Sequence, residues 1–297
     1  MKRIPIIFLV FALLLLSACG GKSTESSSSS GSADDITLDE IADANAGSEL
    51  IEKYSVLSVD YTEYDSGGSV VFSQTAQMEA TENNDYIYRA DYNGEGSELE
   101  IGGIYCVFDA GSGEARFYAL TPETYASDIS NMLSNLIFTA AEDETITSAS
   151  EDGDNYIIET TASPSDDVSD YINENFGAAP DSMTYRIVLN KSNLLVLSSS
   201  TYAVCGKDSY KVADFIHTCG GDFDVPDFAE KLINGADSKI TVMLGDDVCC
   251  EYSVPSGTTL LTDFFDYDGY TLCSNKDGGD AASALEAGKT YYLVASD

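Results

Sequence analysis

One histidine occurs in the 297 residues, and it stands two positions before a cysteine, in His217-Thr218-Cys219. Thiol and imidazole together are the groups of an activated thiolate nucleophile. On a strand, residues i and i+2 share a face but lie about 7 Å apart, because each residue advances ~3.3 Å. Nothing nearby is identifiable as an orienting third group or an oxyanion hole. No G-x-S-x-G, H-E-x-x-H or G-x-x-x-x-G-K-[ST] pattern occurs, so the commonest hydrolase, metalloprotease and P-loop chemistries have no signature. The chain is therefore expected not to be an enzyme and to carry no cofactor. Among the acids, the best calcium candidate is Asp263-Phe264-Phe265-Asp266-Tyr267-Asp268-Gly269. An EF-hand loop needs an acid or amide first, Gly sixth and Glu twelfth. With Gly269 sixth, Phe264 falls first and Asn275 twelfth, so the segment is expected to be a turn with solvated carboxylates and no metal site.

Seven cysteines are present. Cys106, Cys205, Cys219, Cys249, Cys250 and Cys273 allow three disulfides in any of fifteen pairings, and the sequence does not choose among them. Cys249 and Cys250 are adjacent in an apparent strand, which would send them to opposite faces. The absence of C-x-x-C removes the thioredoxin-type motif and the usual zinc-ligand pair.

The seventh, Cys19, lies in a different context. Lys2 and Arg3 precede the unbroken apolar run Ile6 to Leu16, eleven residues long. A membrane-spanning helix needs about 20 such residues, so the run has the length of a signal-peptide core. It ends in Leu16-Ser17-Ala18-Cys19-Gly20, which resembles the lipobox of bacterial lipoproteins. That resemblance implies a signal peptide over 1–18, a diacylglyceryl group on the Cys19 sulfur and a chain anchored by lipid to the outer face of the cell membrane. Buried acyl chains contribute roughly 0.8 kcal/mol per CH₂, and two chains make a stable anchor. Residues 19–35 are rich in serine and glycine, with no aliphatic side chain larger than Ala. Such a stretch is a flexible tether with a reach of roughly 20–24 Å.

Charge limits the partners. Removing 1–18 takes away Lys2 and Arg3 and leaves 12 basic against 51 acidic residues, a formal charge of −39. Nucleic acid binding relies on Lys and Arg at phosphates and is not expected; anionic headgroups and anionic wall polymers would also be repelled. With 43% apolar residues and 31 Phe or Tyr, the chain is too apolar for a solvated acidic tail and is expected to be globular with an acidic surface.

The elements follow from hydrophobic period. Thr37 with Glu40 forms a capping-box pattern opening a helix over 36–53, with Gly47 weakening its middle. Alternating apolar residues then predict six antiparallel strands up to about residue 119, punctuated by Asp65-Ser66-Gly67-Gly68, Asn83-Asn84, Asn93-Gly94-Glu95-Gly96 and Asp109-Ala110-Gly111-Ser112-Gly113. Tyr125, Ile129, Met132, Leu133, Leu136 and Ile137, behind Pro122, lie at offsets of 4, 7, 8, 11 and 12 on one helical face. Two strands about a turn at Gly153, a helix capped by Ser165 and three more strands carry the pattern to about residue 217.

This order of one helix, six strands, one helix, two strands, one helix and three strands resembles the LolA/LolB-like fold of envelope lipoproteins of the LprG and LppX kind. The resemblance covers roughly 36–230, rests on element order and transfers no site residue. It implies an α+β fold in which an incomplete antiparallel barrel of about eleven strands wraps helices and can hold acyl chains. Residues 238–297, with a hairpin about Gly245-Asp246-Asp247 and a closing strand at 291–295, are expected to form a separate small β-rich module that resembles β-grasp-like appendages. At about sixty residues its core is marginal, so it is expected to dock or to be stapled through Cys273. If the fold holds, Tyr61, Phe72, Tyr86, Tyr88, Tyr125, Ile129, Met132, Leu133 and Leu136 form the apolar ligand face. The expected function is lipid or apolar ligand binding by an anchored lipoprotein; the alternative is an envelope interaction or scaffold protein with a filled core. Its protein partners are not legible.

Overall fold

The computed structural model describes residues 33–81, 86–141 and 143–296. Cys19, the signal peptide, the tether up to residue 32 and the Asn83-Asn84 turn lie outside the described residues. Ala33–Asp35, expected to end the tether, form one 3₁₀ turn in which Ala33 is buried.

The capping box at Thr37 is formed. Thr37 Oγ1 accepts from the Glu40 amide at 3.2 Å, and Glu40 Oε2 accepts from the Thr37 amide at 3.0 Å. The helix expected over 36–53 is instead two, α1 (Leu38–Ala44) and α2 (Gly47–Tyr54). The break belongs to Asn45, which is buried. Its Nδ2 donates to the Leu194 carbonyl at 3.0 Å and its Oδ1 accepts from the Val196 amide at 2.9 Å. Gly47 is required by packing, since a Cβ there would stand 3.0 Å from Leu133 Cγ.

The strands β1 (Val56–Tyr64), β2 (Val70–Ala80), β3 (Tyr86–Tyr92), β4 (Gly96–Ile101), β5 (Ile104–Asp109) and β6 (Glu114–Ala119) follow. Next come α3 (Pro122–Leu136), β7 (Thr145–Asp152), β8 (Asn155–Ala162), α4 (Asp166–Phe176), β9 (Ser182–Asn190), β10 (Val196–Cys205) and β11 (Asp208–Cys219). Apart from the divided first helix, this is the order read from the sequence. The C-terminal region holds α5 (Glu230–Asn234), β12 (Ser238–Leu244), β13 (Asp247–Val254), β14 (Thr259–Leu261), β15 (Tyr270–Cys273), β16 (Ala284–Glu286) and β17 (Thr290–Ala295).

The fold is α+β, mostly strands with few helices. A large open sheet of thirteen strands runs β16-β14-β6-β5-β4-β3-β2-β1-β11-β10-β9-β8-β7, and a small sheet runs β13-β12-β17-β15. Two strands beyond the eleven expected, β14 and β16, come from the C-terminal region. Asp263 to Gly269 form turns between β14 and β15, with the Tyr270 amide donating to the Tyr267 carbonyl at 3.0 Å.

The chain divides into two compact units, one of residues up to Thr75 with Leu133–Gly220, the other of Ala76–Met132 with Gly221–Asp297. In the first, Ile158, Ile187 and Leu189 pack with Ile41 of α1, and Met183, Ala203 and Val212 pack with Val168, Ile172 and Phe176 of α4. In the second, Ile87, Leu99, Ile104, Cys106 and Ala119 of β3–β6 share one core with Ile240, Val242, Tyr252, Leu260 and Leu285 of the C-terminal strands. Tyr252 fixes that packing: its hydroxyl donates to the Leu120 carbonyl at 2.6 Å and its ring lies 3.2 Å from where a Cβ on Gly103 would be. Gly102 and Gly103 both have positive φ in the two-residue turn between Ile101 and Ile104, as a type I′ hairpin requires.

All six cysteines among the described residues are free thiols. The expectation for Cys249 and Cys250 is corrected. Val242 pairs with Cys250 and Met243 with Val248, so Cys249 is the extra residue of a β-bulge, and both side chains pack against the same core.

Candidate functional site

In the second unit, strand alternation places Ile87, Leu99 and Cys106 in the core shared with the C-terminal strands. The opposite face is built by register: Tyr88 pairs with Glu100, Glu100 with Tyr105, and Tyr105 with Tyr118. Glu98 occupies the same face one pleat along β4. Tyr92 donates its hydroxyl to Glu98 Oε1, and Tyr105 donates to Oε2 at 2.8 Å. Phe264 meets Tyr105 and Tyr118 edge-on, with ring centroids 5.7 and 4.8 Å away.

The first turns of α3 are fastened to this face. The Tyr125 hydroxyl donates to the Tyr86 carbonyl at 2.8 Å and accepts from the Gly102 amide at 3.2 Å. One turn on, the half-buried Asp128 acts on both glutamates. Burial pushes the Glu98 carboxyl up, opposed by the hydroxyls of Tyr92 and Tyr105 and reinforced by Asp128. Burial, then the charges of Asp128 and Glu98, push Glu100 to about 8. Asp128 is itself raised by burial. Glu100 is only 3% exposed, and its Oε2 has no hydrogen-bond partner among the described residues.

The first unit has a smaller face of the same kind. Tyr61 lies 6.0 Å from Phe72 and 4.9 Å from Phe215, ring to ring, and all three are half-buried. Beside them Glu63 is 1% exposed, accepts from the Tyr61 hydroxyl at 3.3 Å and is pushed by burial to about 7. His217 stacks on Phe215, and its Nδ1 donates to the Leu136 carbonyl at 3.1 Å. Burial lowers its proton affinity and raises that of the Cys219 thiol. The imidazole is occupied at the last turn of α3 and the thiol stays protonated, which is not a prepared nucleophile.

The residues expected to form the ligand face are distributed between the two units. In the second, Tyr125 reaches the Tyr86 carbonyl and Tyr88 lies two residues on along β3, while Tyr61 and Phe72 touch in the first. On α3, Ile129 and Leu136 are buried; Tyr125, Met132 and Leu133 are half-buried. Sequence reasoning missed Glu63, Glu98, Glu100 and Asp128. Ser97-Glu98-Leu99-Glu100-Ile101 looks like a strand with a solvated acidic face. The signal that was available is Asp128, which interrupts the apolar stripe of α3 three residues after Tyr125 and four before Met132.

No protein-family model matches the chain, and no curated protein does. Among solved structures it is similar to LprF from Mycobacterium bovis, at 10% identity over 64% of this chain and 95% of that one, with a TM-score of 0.34. It is similar to MucB in the Pseudomonas aeruginosa MucA/MucB complex, at 12% identity over 79% and 68% of the two chains, with a TM-score of 0.33. A LolA superfamily protein from Nitrosomonas europaea is 11% identical over 62% and 96%, with a TM-score of 0.22.

Proposed function

We propose that the chain is an extracytoplasmic lipoprotein, anchored through lipid on Cys19 to the outer face of the cell membrane, that binds a lipid or other apolar ligand. The observation that carries the reading is the partial exposure of the apolar stripe of α3. Of the five stripe residues within α3, Ile129 and Leu136 are fully buried, while Tyr125, Met132 and Leu133 are half-buried. A helix in a filled core covers its whole stripe. Tyr61, Phe72 and Phe215 are half-buried as well. The lipobox-like Leu16-Ser17-Ala18-Cys19 and the LolA/LolB-like element order support the same assignment.

Native mass spectrometry of residues 33–297, followed by solvent extraction, tests it. A bound species of lipid mass, with uptake of a fluorescent fatty acid that Met132→Glu weakens, is the expected result. A clean apo mass with no uptake overturns the ligand reading and leaves an interaction or scaffold role. Metabolic labelling with a palmitate analogue, lost in Cys19→Ala, tests the anchor.

A further inference from the structure

We infer that the tyrosine and carboxylate face of the second unit, formed by Tyr88, Tyr92, Glu98, Glu100 and Tyr105 with Asp128 beside them, binds an organic cation, the alkylammonium group of a ligand. The inference rests on this surface being a ligand face and adds the sign of the ligand's charge. Three acids gather there, and Glu100 is the decisive one. It is 3% exposed with Oε2 unpartnered among the described residues, while Glu98 uses both oxygens on Tyr92 and Tyr105. An unsatisfied buried carboxyl oxygen is costly and asks for a donor.

Among the described residues the protein does not supply one. Residues 76–132 contain two basic side chains, Arg89 and Arg116. Arg89 lies on the alternate set of β3 positions and pairs with Asp91 and Asp224. Arg116 is exposed and acts on Asp109. Among the described residues, the groups that act on Glu98 and Glu100 are acids and tyrosines. A metal ion does not fit, since among the described residues no three His, Cys, Asp or Glu stand close enough to hold one. The carboxyls are instead spread over a surface tiled with phenol rings. An ammonium group is matched by that spacing: its N–H donors meet carboxylate oxygens, and its α-carbons lie over aromatic faces.

The proton balance follows. In the free protein burial keeps Glu100 protonated at neutral pH. When the ammonium docks, the carboxyl proton leaves to solvent and an N–H···O contact replaces it, so binding strengthens as pH rises. An alkylammonium keeps its own charge to about pH 10.

The test uses the full chain in nanodiscs of zwitterionic phosphatidylcholine, with n-butylammonium as probe and n-butanol and butyrate as neutral and anionic controls, read by saturation-transfer NMR. n-Butylammonium is expected to bind about tenfold or more tightly than n-butanol, and, with Glu100 pushed to about 8, about a hundredfold more tightly at pH 9 than at pH 6. Glu98→Gln with Glu100→Gln should abolish the preference. Because Gln keeps the shape of the neutral acid, the fold should survive, as a circular dichroism melt checks; Asp128→Asn gives the same comparison from the helix side. Equal affinity for ammonium and alcohol, or an undiminished preference in either variant, overturns the inference. Fatty-acid uptake without ammonium preference removes only this inference. Ammonium binding without fatty-acid uptake keeps the site and removes the apolar reading.

Discussion

Glu63 shows what a buried acid does to this protein. It is 1% exposed, it accepts from the Tyr61 hydroxyl, and burial lifts it from the ordinary carboxylate range to about 7. Its folded pKa is above the unfolded one. Its contribution to stability is therefore full at pH values below the unfolded pKa and disappears as pH rises through about 7. A shift of this size corresponds to as much as about 3 kcal/mol. Glu63→Gln should accordingly lose less stability than the parent between pH 5 and pH 8, by up to that amount, in urea unfolding at both values. Parallel pH profiles for the two proteins would show that Glu63 is ionised without cost. Asn45 makes the opposite kind of contribution, because its amide satisfies backbone groups of Leu194 and Val196 from a buried position. Asn45→Ala leaves both unpaired and should cost about 2–4 kcal/mol in the same assay.

Among the elements, the joint between β3–β6 and the C-terminal strands depends on Tyr252. Tyr252→Phe keeps the ring against Gly103 but strands the buried Leu120 carbonyl, and should lower stability by about 1–3 kcal/mol. Hydrogen exchange should then rise at the Ile101–Ile104 hairpin while α4 with β9 and β10 is unchanged; an unchanged hairpin would mean the joint lies elsewhere. Most of the element order was legible, because period-2 and period-3.6 patterns are local and Thr37, Ser165 and Gly153 punctuate them. Three features were not. The break at Asn45 is set by hydrogen bonds to residues about 150 positions away. The Cys249 bulge is a matter of register with β12, and β14 and β16 join the large sheet through pairings that no local pattern encodes. The same limit hid the acidic face. Glu98 and Glu100 alternate with Leu99 and Ile101 as a solvated face would, and only the strand neighbours and the helix carrying Asp128 show that Glu100 is buried and Glu98 half-buried.

At the scale of the whole molecule, a formal charge of −37 sets how stability responds to solution conditions. Excess charge of one sign repels itself in the compact state. Opposing this are ion pairs such as Lys191 with Glu151, Lys276 with Asp246 and Lys289 with Glu286, each with a partner more than half exposed. Exposed pairs contribute about 0–1 kcal/mol each, and 14 basic residues against 51 acidic ones leave most carboxylates without a pair. Salt screens both terms, with a Debye length falling from about 10 Å at 0.1 M to about 3 Å at 1 M, and the repulsive term is the larger. Raising NaCl from about 0.05 to 0.5 M at pH 8 should therefore raise the melting temperature by several degrees. Near pH 4.5 many carboxyls are protonated and the repulsion is already reduced, so the same salt step should have little effect. Lowering the pH at constant salt should also raise the melting temperature, because Glu63, Glu98 and Glu100 all hold protons more tightly in the folded chain. Thermal melts over a grid of pH and salt separate the two causes: screening gives a salt effect that shrinks toward acid, and buried carboxyls give a pH effect that persists at high salt. A melting temperature that falls with added salt at pH 8 would mean that the exposed pairs outweigh the unpaired acids.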